Sequence, residues 1–212
     1  MHALTRFVLL AALGVVVGAA HAQRFEAGTH YQVLSPAQPT STEEAGAVEV
    51  AEVFAYTCIH CYRFEPQIER WLERKPDYVN FVRIPAVFDD LRALHARAFY
   101  TAEALGKLEE MHPAFFAEIH DRSNMLASEP ALQELFSRFG VDPAQFESTF
   151  GSADIQAKVE RAADLMRRYR VPETPSMVVN GKYLSLGGMA GGSYSTWFAV
   201  IDELAASERD AE

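Results

Sequence analysis

The chain has 212 residues, 19 Lys and Arg against 29 Asp and Glu, a net charge of −10, and two cysteines. The acidic balance argues against nucleic acid and anionic membrane surfaces as partners. Two thiols are too few for a disulfide-stapled scaffold.

The first 22 residues read as a leader. Arg6 precedes an apolar run from Phe7 to Gly18, and Ala20-His21-Ala22 is a small-x-small cleavage site, so cleavage is expected after Ala22. The run is too short and too rich in Gly and Ala for a membrane span, and no later segment is apolar for long enough. The mature chain, about 190 residues, loses Arg6 and becomes more acidic by one charge. That length buries a full core as one domain or a domain with an insertion. Export places the cysteines in an oxidising compartment.

Residues 29–34 (THYQVL) can form a short strand, and 35–46 form a turn-rich loop. AVEVAEVF (47–54) reads as a buried strand. Past Thr57 the period becomes helical, with Tyr62, Ile68, Trp71 and Leu72 expected near one face. Pro66 lies inside this helix and is expected to kink it. VNFVRI (79–84) is a second strand, so the order is a βαβ unit with a parallel pair. A helical block follows. Leu91, Leu94, Ala98, Phe99 and Leu105 mark one stripe, ending at Gly106. HPAFFAEIH carries Phe115 and Ile119. Ser128 caps a helix with Pro130 in its first turn, Asp142-Pro143 starts another, and 152–169 is a long amphipathic one. SMVV (176–179), Asn180-Gly181 and KYLSL (182–186) form a hairpin. Ser193 caps a last helix through Leu204, beyond which the charged tail is expected to fray. There are no internal repeats.

Both cysteines, Cys58 and Cys61, stand in FAYTCIHCYRFEP at the strand-to-helix junction. A bridge across two residues removes little unfolded-state entropy, so a structural staple is a weak reading. Zinc usually takes four ligands, and no histidine pair with metal spacing lies nearby, so no metal is expected. A redox pair remains. Cys58 would start the helix, facing free N–H groups and the positive dipole end, both of which favour thiolate. His60, between the cysteines, adds a donor and a charge when protonated. Strand alternation puts Glu52 on the face of Val48, Val50 and Phe54, which makes a carboxylate costly there unless it is partnered or protonated. Arg83 shares a face with Val79 and Phe81 and can pair with Glu52 if the two strands are neighbours.

The three pieces EVFAYTCIHCYRFEP, the helical insertion and TPSMVVNGKY, in this order behind a leader, resemble the DsbA family of exported dithiol oxidases. The resemblance runs from about Gln23 to Ala206 and implies an α/β thioredoxin fold. Residues 23–86 and 163–212 would form the thioredoxin-like domain, and 87–162 the inserted helical domain. It further implies a disulfide between Cys58 and Cys61, with no other cofactor, donated to reduced, unfolded client proteins in the periplasm. Reoxidation by a DsbB-like membrane partner and a monomeric state go with it. Thr174 and Pro175 match the family's cis-proline site, where a client backbone would dock. Glu52 matches an acid that serves the proton of the second cysteine. The family usually has Cys-Pro-His-Cys. Ile59 replaces that proline, so Ile59, with Arg83, is an expected tuner of the potential. An exported reductase or isomerase on the same cysteines is the alternative enzyme reading. A peptide-binding holdase and a metallochaperone are the readings outside redox catalysis.

Overall fold

A computed structural model describes residues 24–42 and 46–211. The leader expected at 1–22 lies outside the described residues. The elements run β1 (Gln32–Val33), β2 (Val48–Phe54), α1 (Ile59–Leu72), β3 (Val79–Pro85), α2 (Asp90–Ala104), α3 (Leu108–His120), α4 (Glu129–Arg138), α5 (Pro143–Phe150), α6 (Ala153–Arg168), β4 (Ser176–Val179), β5 (Tyr183–Leu186) and α7 (Tyr194–Arg209). They form one five-stranded sheet in the order β1-β5-β4-β2-β3. β2 pairs in parallel with β3 and antiparallel with β4, so both of its edges are covered inside the sheet. All seven of its residues are buried, which fits its near-continuous apolar reading.

The alternation of β2 divides the core. Val48 and Val50 face α1 and α7, packing with Phe64, Ile68, Trp71, Trp197 and Ile201. Ala51 and Val53 face the other way, with Ala162, Leu165 and Tyr169 from α6. Phe54 enters a third cluster, in the helical block, with Phe99, Phe115, Phe116 and Phe136. α6 spans the junction drawn at 162/163. Its first half runs beside α2, and its second half packs on the sheet.

Several expectations are refined. α1 does not present Tyr62, Ile68, Trp71 and Leu72 to one partner. Phe64, Ile68 and Trp71 face the sheet, whereas Cys61 and Tyr62 pack on the helical block. α1 continues through Pro66 as one helix. The tail does not fray after Leu204. α7 runs to Arg209 because Glu208 is buried, accepting from Asn180 Nδ2 at 2.7 Å and pairing with Lys182. The hairpin turn is as read: Asn180 and Gly181 both have positive φ. Gly181 is required twice over, since a Cβ there would lie 2.0 Å from the Gln38 carbonyl oxygen.

Candidate active site

β2 ends beside the start of α1, and that junction places the cysteines. Cys58 is the N-cap of α1, in extended conformation, and its Sγ accepts from the Cys61 backbone N–H at 3.3 Å. A residue at this position faces the helix's unpaired amides, which favour the thiolate over the thiol. The Cys58 thiol also donates to the Thr174 carbonyl at 3.2 Å. Thr174–Pro175 is cis, and so is Ser35–Pro36, which the sequence did not signal. The loop before β4 thus meets the end of β2 at the reactive sulfur.

The two thiols are driven apart. Cys58 is lowered to about 5, first by the hydrogen bond from the Cys61 side chain, against burial, and further by Thr174 and the amides of Cys61 and His60. His60 therefore enters through its backbone. Its exposed ring borders a cavity of about 340 Å³ lined with Thr174, Pro175, Tyr194 and Trp197. Cys61 is fully buried, and burial followed by the Cys58 hydrogen bond pushes its thiol far up. Both cysteines are held as free thiols. Ile59 is exposed beside them, at 38%.

Beneath Cys61 lies a layer of buried charge. Glu52 is completely buried. The parallel register sets Arg83 opposite it, with Arg83 Nε 3.5 Å from Glu52 Oε2. That contact lacks hydrogen-bond geometry, and both carboxylate oxygens of Glu52 are without a hydrogen bond. Arg83 is directed instead to Glu65 (2.9 Å) and Glu69 (3.4 Å). Burial, then the charge of Glu65, raises Glu52 well above the ordinary carboxyl value, with Arg83 opposing. Burial also resists ionisation of Glu65, but His112 and Arg83 outweigh it and hold its carboxyl low.

Glu65, His112 and Tyr56 escaped the sequence reading. Glu65 had a local signal, because it stands four residues after Cys61 and so lies below it on the same helical face. Tyr56 donates or accepts at His112 Nδ1 at 2.8 Å, and His112 Nε2 lies 3.3 Å from Glu65. His112 comes from α3, in the insertion, and no spacing along the chain announces that contact. The sequence-derived residues Cys58, Cys61, Glu52, Arg83, Thr174 and Pro175 all converge here, with Ile59 and His60 on the exposed rim. Among the described residues, no three His, Cys, Asp or Glu side chains form a group that could hold a metal ion.

The arrangement suits thiol–disulfide exchange: one acidic, accessible sulfur, one buried sulfur that resists ionisation, and a carboxyl beneath it. Known proteins agree. A family model described as a DSBA-like thioredoxin domain matches residues 49–196. The thiol:disulfide interchange protein DsbA of Pseudomonas aeruginosa is 38% identical over 211 residues, covering 100% of this chain and 99% of the relative. Its namesake in Azotobacter vinelandii is 38% identical over 200 residues, covering 89% of this chain and 93% of its own. The crystal structure of Pseudomonas aeruginosa DsbA superposes with a TM-score of 0.82 at 38% identity, covering 88% of this chain and 96% of that one. With the family model spanning most of its length and relatives aligned end to end, the chain belongs to the DsbA family of thiol:disulfide oxidoreductases.

Proposed function

We propose that this chain is an exported disulfide donor that oxidises reduced, unfolded proteins in the periplasm. The observation that carries this reading is the N-cap position of Cys58, with its thiol lowered to about 5. A stable Cys58 thiolate stabilises the reduced enzyme and makes Cys58 a good leaving group, and both make the Cys58–Cys61 disulfide an oxidant.

In the proposed cycle a client thiolate attacks Cys58 Sγ. A client–Cys58 bond forms, the Cys58–Cys61 bond breaks, and Cys61 leaves with the electron pair. Because burial opposes a Cys61 thiolate, it takes a proton, which we assign to the Glu52 carboxyl. The client's second thiolate then attacks the client sulfur of the mixed disulfide. Cys58 leaves as thiolate, the client has lost two electrons, and the enzyme is a dithiol. The electrons rest on Cys58 and Cys61 alone, so the cycle needs no other cofactor. A DsbB-like membrane partner would restore the disulfide.

Client docking is assigned to Thr174 and Pro175. The Thr174 carbonyl already accepts from Cys58, so an extended segment entering beside it reaches both backbone and sulfur. The cavity next to His60, with Tyr194 and Trp197, supplies apolar surface for client side chains. The domain division drawn from the sequence would let the helical block wall the site on its other side. The chain would act as a monomer. Redox titration of the Cys58/Cys61 couple against glutathione tests the proposal. An oxidising potential, well above that of structural disulfides, supports it. A potential in the thioredoxin range, about −270 mV, would make the protein a reductant instead.

A further inference from the structure

Two tyrosines bracket the cysteines, Tyr56 two residues before Cys58 and Tyr62 one residue after Cys61. The end of α3 grips both. His120, its last residue, donates from Nε2 to the Tyr56 carbonyl at 2.8 Å. The same ring lies flat on Tyr62, with centroids 5.0 Å apart and planes 6° from parallel. Phe116, one turn earlier on α3, stacks against both rings. Asp121, the C-cap of α3, accepts from the Tyr62 hydroxyl at 2.8 Å. Neither His120 nor Asp121 has a part in the cycle above.

We propose that His120 is a positioning residue for the reactive thiol, holding the turn that presents Cys58 Sγ to the first amides of α1. This deepens the oxidase reading and rests on it. Ala55–Cys58 is a tight turn, closed by the Cys58 N–H on the Ala55 carbonyl at 3.0 Å. That bond leaves the Tyr56 carbonyl, inside the turn, in need of another donor, and His120 supplies it. On the other side Tyr62 belongs to the first turns of α1, where its N–H donates to the Cys58 carbonyl at 3.1 Å. Cys58 therefore sits between two points tied to one histidine ring.

A carbonyl only accepts, so Nε2 carries a hydrogen whether the imidazole is neutral or protonated, and the tie does not depend on its charge. Its worth differs between the redox states. In the disulfide form the S–S bond itself fixes Cys58 against Cys61. In the dithiol form that bond is gone. Sγ then keeps its place at the Cys61 N–H (3.3 Å) and the Thr174 carbonyl (3.2 Å) only as well as the turn and the helix start are held. Holding them favours the thiolate, which stabilises the reduced protein and makes the disulfide more oxidising. The helical block thus acts on the couple through the backbone of the motif, from an element that begins 47 residues after Cys61.

The test compares His120→Phe, which keeps a ring for Tyr62 but has no N–H to donate, with His120→Gln, which keeps a donor and loses the ring. His120 is only half-buried, so both variants should fold. In the whole protein, His120→Phe is expected to raise the Cys58 titration, followed by thiolate absorbance, by about half to one pH unit. It should shift the glutathione equilibrium about three- to tenfold towards the oxidised enzyme, the range that one hydrogen bond accounts for. His120→Gln should stay within about twofold of the parent. Urea unfolding of the oxidised and reduced forms separates positioning from packing. Lost packing lowers both forms alike, whereas lost positioning lowers the reduced form more. A His120→Phe protein with the parent's titration and equilibrium overturns the proposal. So does His120→Gln shifting as far as His120→Phe, because the ring and not the donated hydrogen would then matter. A parent potential in the thioredoxin range would instead overturn the oxidase reading, and the comparison of variants with parent would still decide the role of His120.

Discussion

β2 carries two buried glutamates three residues apart, and they live in opposite worlds. Glu49 faces the side covered by the 40–42 loop. Its carboxylate accepts from the Ser41 N–H (2.9 Å) and hydroxyl (2.7 Å) and from the Thr42 N–H (2.7 Å) and hydroxyl (2.8 Å). Glu52 lies on the side of Cys61, and neither oxygen of its carboxyl has a hydrogen bond. Exposure does not separate them, at 3% and 0%. Satisfaction does. A buried carboxylate that accepts four hydrogen bonds holds a loop to the sheet. One left unsatisfied is pushed towards its neutral, protonated form by burial, which is what a proton donor requires.

The comparison is broken most directly by rate. Glu52→Gln should slow opening of the Cys58–Cys61 disulfide near neutral pH by about 10- to 100-fold, at or below the lower end for loss of a general acid. Glu49→Gln should leave the rate alone. Stopped-flow exchange with a dithiol peptide measures both. Equal slowing in the two variants would erase the distinction between them.

Stability should move the other way. Glu49→Gln loses charge-assisted hydrogen bonds and should cost about 2–3 kcal/mol. Glu52→Gln removes an unsatisfied carboxyl, and Arg83 keeps Glu65, so urea unfolding at pH 7 should show a gain of about 1 kcal/mol. The sign follows from linkage. The folded Glu52 value is raised above the unfolded one, so wild-type stability falls as pH rises above about 4.3. The advantage of the variant should therefore shrink to nothing in acid. An advantage that stays constant with pH would show that Glu52 is not raised.

Cys58 sharpens the contrast from the thiol side. Thiolate absorbance should give a value of about 5 in the parent and in Glu49→Gln. Glu52→Gln should leave it there too, because Glu52 is still protonated when Cys58 ionises, and it is the Cys58 thiolate that raises Glu52. In the dithiol protein the folded value lies below the unfolded value of about 8.5. The stabilisation is complete above that value and is lost as pH falls from about 8.5 through about 5. Unfolding of reduced and oxidised protein across this window should show the reduced form gaining on the oxidised as pH rises. A Cys58 titrating at the ordinary cysteine value would remove the basis of the oxidase reading.

The smallest effect belongs to the loop. Ser41→Ala removes one of the four donors at Glu49 and should cost about 1 kcal/mol in thermal or urea unfolding, with no change in exchange rate. A changed rate would mean that the 40–42 loop communicates with the thiols.

Short-range periodicity and local chemistry were enough to place several parts of this molecule. The alternation in VEVAEVF set Glu52 among apolar neighbours, the strand-to-helix switch put Cys58 at a helix start, and Asn180-Gly181 specified the hairpin. Ser128 and Ser193 each cap the helix expected of them. The resemblance carried by the cysteine, insertion and TPSMVVNGKY segments supplied the cis bond at Pro175, which local chemistry does not single out. Only tertiary structure decided who meets whom. Arg83 stands opposite Glu52 in the register yet turns to Glu65, because α1 lays that carboxylate closer. Glu49 is satisfied by a loop seven residues upstream, and Glu208 is held by a hairpin that packs under α7. His112 reaches Tyr56 from an element 56 residues away. Such contacts are fixed by the packing of whole helices on the sheet, and a local pattern of residues carries no record of them.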